Sequence, residues 1–197
     1  MRNLVKLAVV ILGCALPAAA QMKALTPVDA NIRFSEQISN GPAGNCGCFA
    51  MEGFAGGAAW TIHSYGVEHN RAFGAVADFS WERTHKVSNA PYGLTLTTAA
   101  FGPRFSTPAF KSTRIFAQSL FGFTHGSNSA FPVHNSLEPS ANSFALVLGG
   151  GMDHPVSQHL SIRIFQLQYL RTALPNNTSN WQNNLQISTG LKFSLSR

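Results

Sequence analysis

The chain has 197 residues and a mass of 21.2 kDa, which bounds it to one domain. Its net charge is +6, yet charged residues make up only 11% of it beside an ordinary 45% of hydrophobic ones; soluble domains carry ~25% charge. No basic cluster with interleaved aromatics occurs, so the excess charge does not read as nucleic-acid binding, and no apolar run beyond residue 20 approaches the roughly 18 residues of a membrane helix.

Residues 1–20 have the form of a cleaved secretory signal. Arg2 and Lys6 make a positive start, Leu7 to Leu16 an apolar run, and Ala18-Ala19-Ala20 a small-residue site before Gln21. A second processing site, Ile11-Leu12-Gly13-Cys14, looks like a poor lipoprotein box. Removing Arg2 and Lys6 leaves 12 basic residues (14 less 2) against 8 acidic, a mature net charge of +4. Residues 21–30, with Pro27, read as a short linker, and 31–197 as the folded domain.

From there the sequence alternates in runs that a β-strand explains, because successive side chains point to opposite faces. In Asn31–Ser39, Ile32, Phe34 and Ile38 oppose Arg33, Ser35 and Gln37, with Glu36 breaking the apolar face. In Phe49–Ile62, Phe54, Ala58, Trp60 and Ile62 share a face. In Phe73–Arg83, Phe73, Phe79 and Trp81 oppose Asp78 and Glu82. Gly93–Ser106 follows, then Thr113–Gly126, where Ile115, Phe121 and Phe123 oppose Arg114 and Gln118. Ser143–Asp153 sets Phe144, Leu146 and Leu148 against Ala145, Val147 and Asp153. His159–Leu174 changes phase between Ile164 and Phe165, which a β-bulge would produce.

The last run is the longest unbroken one. From Asn184 to Leu195, Leu185, Ile187, Leu191, Phe193 and Leu195 alternate with Asn184, Gln186, Ser188, Gly190, Lys192 and Ser194. At ~3.3 Å per residue it reaches roughly 40 Å, enough to cross a bilayer at a tilt. Eight strands result. Shorter connections (63–72, 107–112, 154–158) take turns with longer ones (40–48, 84–92, 127–142, 175–183), as the periplasmic turns and extracellular loops of transmembrane barrels do. Few charges, many small polar residues and no spanning helix fit that architecture.

Several stretches carry a family resemblance over most of the chain: Gly102-Pro103-Arg104, the run SFALVLGGGMD at Ser143–Asp153, Arg163 with Gln166-Leu167-Gln168-Tyr169, and the terminal strand. They resemble the small outer-membrane barrels of the OmpA transmembrane-domain and OmpX type. Ser188, Gly190, Phe193 and Leu195 are similar to the carboxy-terminal assembly signal of bacterial outer-membrane proteins. The resemblance implies an all-β, eight-stranded antiparallel up-and-down transmembrane barrel in the bacterial outer membrane. It also implies a monomer inserted by the barrel-assembly machinery and surrounded by outer-membrane lipid and lipopolysaccharide. The role expected is structural or adhesive, with no open pore, an extracellular ligand met by four loops, no nucleic acid and no cofactor.

A barrel of eight strands is just wide enough for side chains to fill. The polar faces would send Arg33, Asp78, Glu82, Arg104, Arg114, Asp153 and Arg163 inward, where they should pair, since an unpaired buried charge is costly. Two local groups carry other chemistry. Cys46 and Cys48 flank one glycine in the first long loop. A small disulfide suits an oxidising compartment; half of a metal site with His85, or reactive and intermolecular pairing, are the other readings. His125-Gly126-Ser127-Asn128, followed by Glu138, resembles the His-x-Ser-Asn of lipid A 3-O-deacylases, which are also eight-stranded. That likeness implies Ser127 as nucleophile, His125 as base, Glu138 as orienter and Asn128 as oxyanion donor, the logic of a serine hydrolase. It requires His125 within hydrogen-bond reach of both Ser127 and Glu138.

Overall fold

The computed structural model describes residues 28–39, 48–66, 69–87, 92–110, 112–133, 136–176 and 179–195. The signal segment at residues 1–20, most of the linker and Cys46 lie outside them. Eight strands follow one another in order: β1 (Val28–Ser39), β2 (Phe49–Tyr65), β3 (Arg71–Thr84), β4 (Leu94–Pro108), β5 (Arg114–Val133), β6 (Ser136–Pro155), β7 (Leu160–Thr172) and β8 (Gln182–Leu195). Each pairs antiparallel with its neighbour, and β8 returns to β1, closing the barrel. The seam is in register from Val28↔Leu195 to Ser39↔Asn184, so the ladder has no free edge along it.

Alternation decides which side of the wall each residue faces. In β1 the burial runs strictly in and out, with Arg33, Ser35, Gln37 and Ser39 inside and Ile32, Phe34 and Ile38 exposed. The same holds in β8, where Asn184, Gln186, Ser188 and Lys192 are buried while Leu185, Ile187, Leu191, Phe193 and Leu195 are exposed. The fold is thus polar inside and apolar outside, the reverse of a soluble domain. Phe54, Phe101, Phe121, Phe123 and Phe144 each expose half their surface or more on the outer wall. A patch this large around the whole circumference is stable only against hydrocarbon.

Two irregularities adjust the wall. The register of β7 on β8 shifts between Arg163 and Gln166, and Ile164 and Phe165 both face outward there. This is the bulge that the phase change in the sequence called for. Pro103, in β4, lacks an N–H; the pairing of β4 with β5 is interrupted between Phe101 and Arg104.

Three boundaries differ from those read in sequence. β1 begins at Val28, inside the expected linker, because Val28–Ala30 pair with both Trp60–Ala58 and Leu195–Phe193. β2 runs on to Tyr65 through a register shift between Thr61 and His63. The largest correction is the long loop expected at 127–142. Its described residues are strand: β5 and β6 each run 20 residues and pair as far as Val133↔Ser136. Ser, Asn and Pro obscure the alternation there, and mutual pairing supplies the backbone bonds that the side-chain pattern does not advertise. β4 stops pairing with β5 at Ser127, and β7 stops pairing with β6 at Ala145. The hairpin therefore runs past its neighbours as two strands whose backbone ladder is made only with each other.

Candidate functional site

The lumen is stratified from the end carrying the chain termini to the end carrying the hairpin. Its centre is an ion-pair network anchored on β1, β3, β6 and β7. Arg33 Nη2 donates to both carboxylate oxygens of Asp78 at 2.9 Å, and its Nη1 donates to Gln166 Oε1 at 2.5 Å. Arg163 holds Asp153 through Nε at 2.8 Å and Nη2 at 3.1 Å, and its Nη1 donates to the same Gln166 oxygen at 2.7 Å. One amide oxygen thus joins two guanidinium–carboxylate pairs. Arg33 and Arg163 are both fully buried; Arg163 meets Asp153 through two nitrogens, the forked geometry that makes the strongest pairs, while Arg33 offers Asp78 a single nitrogen.

Towards the termini Lys192 Nζ reaches Asp153 at 3.3 Å and Asp29 at 3.6 Å, and Ser194 donates to Asp29 at 2.8 Å. Arg104 donates twice to Gln118 Oε1 and lies 4.5 Å from the Phe116 ring centroid, a ring that Arg163 approaches equally closely. Arg114 is half-buried at the rim and donates to Asn70 O at 2.8 Å. Towards the hairpin Glu82 is fully buried and, among the described residues, makes no ion pair. Its carboxylate accepts from Ser35 at 3.1 Å, Ser80 at 3.0 Å and Gln186 Nε2.

Beyond Glu82 the lumen changes character. Met51, Leu94, Leu96, Phe131 and Leu174 form an apolar cluster across the hairpin end. A second cluster inside the wall includes Val76, Leu120, Val147 and Leu170. The sequence reading missed this apolar cap. Leu94 and Leu96 share the period-two phase of Arg104, which places them inward; Phe131 carries no such signal, because the bulge between Ser127 and Phe131 resets its phase.

The residues of the deacylase-like motif do not converge. His125 is exposed on the outer wall, and its Nδ1 lies 2.7 Å from Asn142 Oδ1. Glu138 stands opposite Phe131 in β6 and accepts from Ser136 at 3.1 Å. It is four positions along β6 from Asn142, roughly 13 Å at the strand rise. Asn128 adopts a left-handed φ of 60° and donates to Thr95 Oγ1 at 3.1 Å. Ser127 faces Ser140 in register. The arrangement lacks the base–orienter contact a hydrolase requires, because the segment holding Glu138 is a strand and cannot fold back over His125.

Cys48 is exposed and disulfide-bonded. Among the described residues no group of three metal-ligating side chains lies together, His85 and Cys48 included. In the terminal strand Ser188 and Gly190 face the lumen, while Phe193 and Leu195 face out beside Ala30 and Val28.

Solved structures with this architecture are outer-membrane proteins. Neisserial surface protein A superposes with a TM-score of 0.63 at 11% identity, over 88% of this chain and 100% of its own. Ail, the attachment invasion locus protein of Yersinia pestis, in complex with the heparin analogue sucrose octasulfate, superposes at 0.52 with 13% identity, over 84% and 97%. No protein-family model and no curated protein sequence matches the chain. The likeness is one of fold.

Proposed function

Taking as premise that this chain folds as a small eight-stranded outer-membrane barrel, we propose that it resides in the bacterial outer membrane as a monomer with a filled lumen and acts through its hairpin-side rim. Its role is structural or adhesive. The single observation that carries this reading is the lumen itself: Arg33, Asp78, Gln166, Arg163 and Asp153 interlock across it, and Met51, Leu94, Leu96, Phe131 and Leu174 stand over them. A solute would have to break two buried ion pairs and wet an apolar constriction.

The partners follow from the same surfaces. Arg83 and Arg171 are exposed on the outer wall near the rim, and Arg171 stacks on Trp181 at 4.3 Å; they suit lipopolysaccharide phosphates at the outer leaflet. The connections 40–48, 85–93 and 173–181 and the raised β5–β6 hairpin are the extracellular contact elements. The terminal strand, with Ser188, Gly190, Phe193 and Leu195, serves as the signal for the barrel-assembly machinery, after a cleaved leader at residues 1–20 has directed export. Fractionation of cells expressing the full chain tests the premise: a heat-modifiable band in outer membranes is expected, and recovery as a soluble periplasmic species would refute it.

A further inference from the structure

We propose that the lumen holds a small inorganic anion of halide size, bound by Arg104 beside Arg114 at the end of the barrel that carries the chain termini. The charges there do not balance within the protein. Arg33 is neutralised by Asp78, and Arg163 by Asp153. Asp153 is shared with Lys192, which also reaches Asp29. Arg104 is only 8% exposed and, among the described residues, has no carboxylate within ion-pair distance. Its contacts are a neutral amide oxygen, Gln118 Oε1, through Nε and Nη2, and the Phe116 ring. Its third nitrogen, Nη1, is left without a hydrogen bond among the described residues. Arg163 shares that ring, so two guanidiniums crowd one aromatic group.

A buried cation with no carboxylate in direct contact is stabilised by an added counter-charge, here because the nearby Asp153 already serves Arg163 and Lys192. The space for one exists. A cavity of about 40 Å³ is lined by Arg104, Arg114, Lys192, Asp29 and Asp153, with Phe116 and Ser106 on its wall. About 10–15 Å³ of such space holds one water, so the cavity takes a halide with a water or two but excludes a polyatomic organic acid. Its lining counts three cations against two carboxylates, and both carboxylates are already engaged by Lys192. Arg114 lines the cavity while its Nη1 donates to Asn70 O. The apolar cap closes the opposite end, so the ion enters from the end bearing the termini and stays there as a counter-ion.

The test uses the refolded barrel in zwitterionic detergent. Crystals grown in sodium bromide should show an anomalous peak in the cavity within hydrogen-bond distance of the Arg104 guanidinium; density for water alone at high bromide overturns the proposal. In solution, the thermal midpoint in sodium chloride should exceed that in sodium gluconate at equal ionic strength, because gluconate does not fit. Equal midpoints also overturn it. Arg104→Gln should abolish the chloride-dependent shift and the bromide peak while keeping heat-modifiable mobility. If Arg104→Gln does not fold, Arg114→Gln, at the half-exposed rim, should weaken the shift. An undiminished shift in Arg114→Gln counts against the site.

Discussion

Gly190 lies on the inner wall of β8, between Arg33 of β1 and Arg163 of β7 in register. A Cβ added there would sit 2.0 Å from Ile32 O and 2.7 Å from Arg33 Cα, both backbone atoms of the strand that closes the barrel. Neither can move unless β1 and β8 separate. Gly190→Val is therefore expected to block closure, read as loss of the heat-modifiable band from outer membranes; normal folding of that variant would show that the seam register is wrong. The ion pairs make a different expectation. Asp78→Ala strands Arg33 with Gln166 as its remaining contact, and breaking one side of a buried pair costs about 3–5 kcal/mol. Replacing both partners with Arg33→Met and Asp78→Leu should recover most of that, because the desolvation of two charges disappears with them. Denaturant unfolding of the refolded barrel in lipid measures both. Glu82→Gln should be milder, about 1 kcal/mol, since among the described residues no cation touches it and mainly hydrogen bonds are rearranged.

Among the elements, β8 and the β5–β6 hairpin make opposite demands. Phe193 faces lipid next to Ala30 and Leu160. Phe193→Asp places a charge on the outer wall near an end of the strand, where the cost is well below the ~2–4 kcal/mol of a basic residue at mid-membrane. Its main effect should be on assembly: reduced levels in the outer membrane, with near-normal stability for the molecules that do insert. Normal levels would mean that the strand does not carry the signal. The hairpin owes little to lipid. Beyond Ser127 and Ala141 its strands pair only with each other, and Phe131 turns inward, 6% exposed, onto Leu94 and Leu96. Phe131→Ala should cost about 3–5 kcal/mol, as emptied aromatic core sites do, and leave the barrel assembled. Excising 129–140 should remove the hairpin's share of surface contact, read as weakened binding at the cell surface, while keeping the heat-modifiable band.

For the whole molecule, the closed ring and the filled lumen we propose set the expectation on transport. Reconstituted protein should give no discrete conductance in planar bilayers, since the network from Arg33 to Asp153 and the cap around Phe131 lie in series. Steady channels from wild-type protein would overturn the filled-lumen reading. A flickering current from a Phe131→Ala variant would instead identify the cap as the tighter of the two barriers.

The period-two alternation of a dozen residues at Asn184–Leu195, repeated more weakly seven times upstream, was enough to read the barrel and its strand count. A strand has only two sides, and lipid on one of them forces the apolar set outward. Even the Ile164–Phe165 bulge left a mark, because a phase change survives in the linear order. Alternation says nothing about which inward residues meet. Arg33 reaches Asp78 on β3 and Gln166 on β7, contacts set by strand stagger and barrel curvature, which no single strand encodes. The tertiary structure alone also decided the fate of 127–142, where strand pairing overrides a loop-like composition, and with it that of His125, Ser127 and Glu138. His125 and Glu138 remain apart because a paired backbone places Glu138 four positions along β6 from Asn142, the partner of His125.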